Sequence, residues 1–210
     1  MSQVVKTHWL KLCEHLGAWS PIAESIYEDI LDQYTQPHRR YHTMEHIEAV
    51  LREFDDARHL AKDPDLMEFA LVMHDAIYNP RRDDNEERSA EFADIASHRL
   101  WIGGSFSSVT AFSARSGKMI LASKHLTATD DPDTMLFLDL DLVILGKSRE
   151  TFDRYDRQIR QEYWFVPDAV YRKKRKQVMA SFLKRPSIYL TDHFKQKYEE
   201  RARENIERIM

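Results

Sequence analysis

Between Thr43 and Ala61 the apolar residues fall at Ile47, Val50, Leu51, Phe54, Ala57 and Leu60. Steps of three and four place them on one side of a helix and predict an amphipathic helix over 43–61. The same period runs through the rest of the chain. It predicts helices at about 3–15, 20–34, 64–77, 84–100, 109–125, 132–145, 149–163, 168–184 and 191–209. Ser20-Pro21, Asp63-Pro64 and Asp131-Pro132 each set a short polar side chain before a proline suited to a first helical turn. Thr43, Ser148 and Thr191 are further capping candidates. The breaks are short: Gly103-Gly104-Ser105, the polar turn from Tyr78 to Asp83, and Gly146 at a helix end. No set of alternating strands and no internal repeat is present. The expected fold is an all-α bundle.

Two apolar runs contain residues that a core does not tolerate without a partner. From Leu66 to Tyr78 nearly every residue is apolar except Glu68, His74 and Asp75. From Phe137 to Leu145 an apolar run holds Asp139 and Asp141. A buried polar group costs free energy unless it is hydrogen-bonded, and an unpaired buried carboxylate costs more. An internally paired His-Asp would satisfy the first run; so would a divalent metal, which takes imidazole nitrogen and carboxylate oxygen. In the second run the two acids would point roughly 200° apart on a helix, so only one could face a given site. Periodicity does not choose between Asp139 and Asp141.

Composition narrows the setting. The chain has 210 residues, enough for one good core and short for two, with Gly 5, Pro 7 and no flexible linker, so 1–210 reads as one domain. Apolar stretches are interrupted by charges well before the ~20 residues of a membrane span. The N-terminal stretch has no basic head followed by an apolar core, so no secretion signal is expected. The single cysteine, Cys13, fits a reducing compartment, and the cytoplasm is the expected location. A net charge of -4 argues against a dedicated nucleic-acid coat. The run Arg172-Lys-Lys-Arg175-Lys176 is a local exception that a solvated helix face would also explain. Helix 191–209 mixes both signs of charge and carries no evident chemistry.

Other segments carry ligand-type residues. His42 and His46 are four apart in Arg40-Tyr41-His42-Thr43-Met44-Glu45-His46-Ile47, and His46 lies at the edge of an apolar stripe. Core histidines would account for either one alone. The segment Asp83-Asp84-Asn85-Glu86-Glu87 opens a predicted helix, where acids commonly serve only the helix dipole. Coming so soon after His74-Asp75, it could instead supply a carboxylate that orients water. His125 follows Met119-Ile120-Leu121 and is a candidate ligand or substrate contact. Tyr41 and Tyr78 could stack on a base or belong to the core. There is no glycine-rich phosphate loop and no dinucleotide fingerprint.

The ordered series His46, then His74-Asp75, then a distant Asp resembles the HD superfamily of metal-dependent phosphohydrolases, specifically a bacterial subgroup of predicted HD phosphohydrolases. The resemblance is carried by Arg40–Ile47, His74–Tyr78, Asp84–Ala90 and Phe137–Leu142, and extends to Tyr163 and the Tyr171–Leu190 region. It implies an HD-type helical bundle with His46, His74, Asp75 and Asp141 as metal ligands, and leaves Asp139 behind them. It also implies hydrolysis of a phosphomonoester or phosphoanhydride, with a nucleotide as the expected substrate, by a divalent ion such as Mn, Mg, Co, Ni, Zn or Fe. Asp75 or Glu86 would orient water, and Asp84 and Asn85 would hold the adjoining loop. Arg40, His42, His125, Arg175 and Arg185 are the expected substrate contacts, with Arg81 and Arg82 flanking the site. Two other functions fit the same fold. An HD-type di-iron oxygenase would need two more histidines, for which His98 and His125 are the candidates; a non-catalytic HD regulatory or binding module would keep the fold without turnover. A homodimer is compatible with either.

Overall fold

The computed structural model describes residues 3–125 and 128–210; Met1 and Ser2, part of the stretch read above for a leader, lie outside them. The described residues form ten α-helices with no strand, so the fold is all-α. The helices are α1 (Gln3–His15), α2 (Ser20–Tyr34), α3 (Met44–Ala57), α4 (Pro64–Met73) and α5 (Asn85–Leu100). They continue with α6 (Phe106–Ala122), α7 (Pro132–Asp141), α8 (Arg149–Glu162), α9 (Asp168–Leu183) and α10 (Asp192–Glu207). Short 3-10 turns cover Arg58–Leu60, Ile102–Gly104 and Leu142–Gly146. No helix is long and apolar enough to cross a membrane among the described residues.

Local signals set most helix starts. The side chains of Thr43, Asp63, Asp131, Ser148 and Thr191 accept from backbone N–H groups in the first turns of α3, α4, α7, α8 and α10. Ser20 departs from expectation. It lies inside the first turn of α2, Trp19 holds the cap position, and no side chain caps the helix. Helix α6 begins earlier than its apolar pattern suggests because Ser105 accepts from Ser108 N–H.

Helix α4 is the central rod: every residue from Leu66 to Met73 is buried. It packs against α1, α3, α5, α6 and α7. The apolar pattern predicts a helix to 77, yet α4 ends at Met73. Two side chains from earlier in the chain explain the stop. Tyr34 donates its hydroxyl to Val72 O, and Arg39 donates to the carbonyls of Asp75 and Ala76 at 2.8 and 2.7 Å. Carbonyls at a helix end need outside partners, and these donors let the backbone turn away while still buried. The turn exposes the Asp75 side chain to the same space as His74.

Candidate metal centre

Four side chains from three helices meet at the C-terminal end of α4. His46 comes from the buried stripe of α3, His74 and Asp75 from the cap and turn after α4, and Asp141 from the last residue of α7. One ligand atom from each lies within 4.8 Å of all the others. His74 Nε2 is 3.1 Å from Asp75 Oδ2 and 3.4 Å from Asp141 Oδ1. His46 Nε2 is 3.3 Å from His74 Nε2, 3.5 Å from Asp75 Oδ2 and 3.7 Å from Asp141 Oδ1.

These spacings suit a shared cation. Metal–ligand bonds of about 2.0–2.2 Å give neighbouring donor atoms separations of roughly 3 to 3.5 Å. The orientation of His74 suits it too: its Nδ1–H donates to Leu71 O at 2.9 Å, which leaves Nε2 turned to the cluster. Burial, followed by the neighbouring His74, pushes the His46 pKa down to about 4, so His46 is a neutral imidazole. Burial also opposes a charge on His74, but Asp75 and Asp141 prevail and hold its pKa well above the usual value. Both carboxylates are held below the ordinary range, against burial. His74 and His42 do this for Asp75, and His125 and His74 for Asp141. The cluster therefore calls for positive charge at its centre, which a proton on His74 or a divalent cation can supply.

The two acids of α7 part company. Asp139 turns to the start of α10, where it accepts from Leu190 N, Thr191 N and Thr191 Oγ1, all at 2.7 Å. Asp141 turns to the histidines. The helical angle between them, left undecided by periodicity, places one on each side of α7.

Three of the cluster residues, all but His46, form the floor of a cavity of about 700 Å³. His42, Asn85, Glu86 and Arg175 line it with His74, Asp75 and Asp141. A wider groove of about 980 Å³ between α5 and α6 has no histidine and no member of the ligand cluster in its lining. Burial and nearby Asp75 raise the Glu86 pKa, with Lys124 acting against them. Asn85 lines the cavity and also closes the 79–85 loop, accepting from Asn79 N and donating to Asn79 O.

Besides His46, four residues expected at the site lie outside this cavity: Arg40, Asp84, Arg185 and His125. Arg40 is exposed and turns back onto Pro37 O and Arg39 O. Asp84 pairs with Arg82 and Arg88 on the surface. Arg185 lies over the Phe182 ring and lines a separate cavity of about 300 Å³. His125 shares that second cavity, with its Nε2 3.5 Å from Asp141 Oδ2 and its backbone at φ 53°. Arg82 lines the main cavity, whereas Arg81 stacks on Phe165. His98 donates to Asp94 O on α5 and does not join the cluster. Tyr78 donates its hydroxyl to Glu162, and Tyr41 packs on His46 and Tyr155.

Two organising residues escaped the sequence reading. Glu162 Oε1 accepts from the successive backbone N–H groups of Arg40, Tyr41 and His42 at 2.7, 2.8 and 3.0 Å. Its Oε2 accepts from His42 Nδ1 at 2.7 Å and Tyr78 Oη at 2.9 Å. This single carboxylate shapes the turn into α3 and leaves His42 Nε2 as the ring nitrogen available to a ligand. Burial opposes the charge on Glu162, but the His42 bond and charge draw its pKa down to about 2. Its signal was visible: Phe152, Tyr155 and Ile159 form the buried stripe of α8, and Glu162 extends it by one turn. Arg39, beside Arg40, had no distinguishing signal.

Comparison of the chain with family models, curated proteins and solved structures finds no match.

Proposed function

We propose that the protein is a metal-dependent phosphohydrolase of the HD type that acts on a small phosphorylated compound, with nucleotides the first class to test. One observation carries this reading: His46, His74, Asp75 and Asp141 converge, and three of them, His74, Asp75 and Asp141, line a substrate-sized cavity. Two imidazoles and two carboxylates suit Mn, Fe, Co, Ni or Zn better than Mg. When bound there, a divalent cation supplies Lewis acidity to a phosphoryl group and activates water near neutral pH.

The chain's own groups have separable tasks. Glu86, with its raised pKa, takes the proton of the attacking water from the wall beside Asp75. His42 is oriented by Glu162 and offers Nε2 to a phosphoryl oxygen. Burial works against a charge on His42, but Asp75 and Glu162 raise its pKa overall and favour the donor form. The 79–85 loop, closed by Asn85, covers one side of the floor.

Metal content and phosphate release against a nucleotide panel test the reading, with Mn, Co, Ni, Mg and Fe added in turn. Metal-dependent release that disappears in His74→Ala and Asp75→Ala, with the fold retained, is the expected result. Bound metal without release from any nucleotide would favour the binding module. About two irons per chain without release would favour the di-iron oxygenase, for which His125 is near Asp141 but His98 is displaced.

A further inference from the structure

The part of the cavity wall that α9 supplies contains two donors the proposed chemistry does not use. Tyr171 and Arg175 are one turn apart on α9 and line the cavity together. Arg175 is held from two sides: its Nε donates to Asp156 Oδ1 at 2.9 Å, and its guanidinium lies 4.9 Å from the centre of the Tyr155 ring. Its Nη2 is buried and has no hydrogen-bond partner. The Arg160 guanidinium sits 4.7 Å from the centre of the Tyr171 ring, and the Tyr171 hydroxyl is likewise buried without a partner.

A buried donor left unpaired loses its solvation without replacement, the more so when charged, so most native donors are satisfied. Five buried side-chain atoms among the described residues lack a partner, and only those of Tyr171 and Arg175 belong to residues lining this cavity. Guanidinium and phenol donors together match an anionic oxygen, and Arg175 is pre-set for a fork-like contact by its bond to Asp156. Ile159 and Val166 add apolar surface to the same lining.

We propose that Tyr171 and Arg175 form a second anion subsite. The favoured substrate is then a phosphate ester that carries a further anionic group, phosphate or carboxylate, on an apolar or aromatic scaffold. The first anion rests on the phosphohydrolase reading; the second rests on α9 alone.

Calorimetric binding to the full chain loaded with Mn separates the two. Two matched pairs serve as probes: adenosine bisphosphate against adenosine monophosphate, and carboxyphenyl phosphate against phenyl phosphate. The member with a second anionic group binds about tenfold more tightly in at least one pair, as a charge-assisted hydrogen bond allows. Arg175→Gln and Tyr171→Phe each shrink that ratio to within about twofold, as expected when the partnering donor is lost. The pair that discriminates identifies the second anion as phosphate or carboxylate. A wild-type ratio near one in both pairs, absence of binding by all four probes, or a ratio unchanged by Arg175→Gln and Tyr171→Phe would overturn the subsite. Tyr171→Phe removes a single hydroxyl and keeps the test open if Arg175→Gln does not fold. An Arg175-dependent ratio in a protein that releases no phosphate sinks the hydrolase and leaves the subsite standing; phosphate release with a ratio of one does the reverse.

Discussion

Asp139 and Asp141 sit on one helix, two residues apart, in opposite kinds of surroundings. At the start of α10, three fixed donors occupy the oxygens of Asp139 and no cluster of ligand atoms surrounds it. At the foot of the cavity, the neighbours of Asp141 are the imidazoles of His46, His74 and His125, which compete for the same space. A carboxylate satisfied by backbone N–H groups is part of the frame. One surrounded by other ligand atoms is incomplete without a positive charge. The apolar run around them does not separate the two cases; the chemistry of the neighbours does.

Substitution of the acids should divide along this line. Asp141→Asn is expected to lower metal-dependent turnover by at least about a thousandfold and to release metal, since it removes a ligand. Asp139→Asn should retain metal, read by elemental analysis, and lose stability instead. Breaking a buried, fully bonded charge costs about 3–5 kcal/mol, or on the order of 10 °C in melting temperature for a chain of this size. Retained turnover in Asp141→Asn would erase the distinction.

Glu86→Gln sharpens the catalytic side. A general base contributes about 10²–10⁴-fold, so kcat should fall within that range while bound metal stays constant. Metal removal gives a smaller, purely thermodynamic effect. At a hundredfold excess over the dissociation constant, a bound ion stabilises by about 2.7 kcal/mol, and dialysis against chelator should lower the melting temperature accordingly. The same treatment should affect His74→Ala far less.

Glu162 extends the comparison to acid. Its folded pKa, near 2, is below the ordinary 4.5. Its contribution, on the order of 3 kcal/mol, is therefore complete above 4.5 and lost as pH falls towards 2. Glu162→Gln should flatten that part of the stability profile measured by denaturant unfolding. The smallest effect is expected from His8, which donates to Glu68 at 2.8 Å between α1 and α4. The bond to Glu68 raises the His8 pKa, against burial. Its contribution is complete below 6.5 and fades as pH rises through the raised value. A His8→Gln chain should lose that dependence without changing metal content.

Helix identity, order and most starts were legible because they depend on neighbours in sequence. Apolar residues three and four apart define a face, and Asp63, Asp131 or Thr191 caps a helix only a few residues away. The anomalies were equally local: His74-Asp75 and the two acids of α7 stand out in apolar runs without any structure. The end of α4 was not legible, because Arg39 from another segment supplies the donors that stop it. Nor were the positions of Arg40, Asp84 and Arg185, whose side chains turn outward or to another cavity for reasons that sequence spacing does not contain.

By itself, then, the amino-acid order determined an all-α chain with metal-type ligands where a core should be apolar. The tertiary structure alone decided that Asp139 is held by the start of α10, that Glu162 shapes the turn around His42, and that Arg40, Asp84 and Arg185 leave the cavity. The physical reason is range. Helical period and caps act over about one turn, whereas ligand convergence and the pairing of buried charges depend on segments brought together only when the bundle packs.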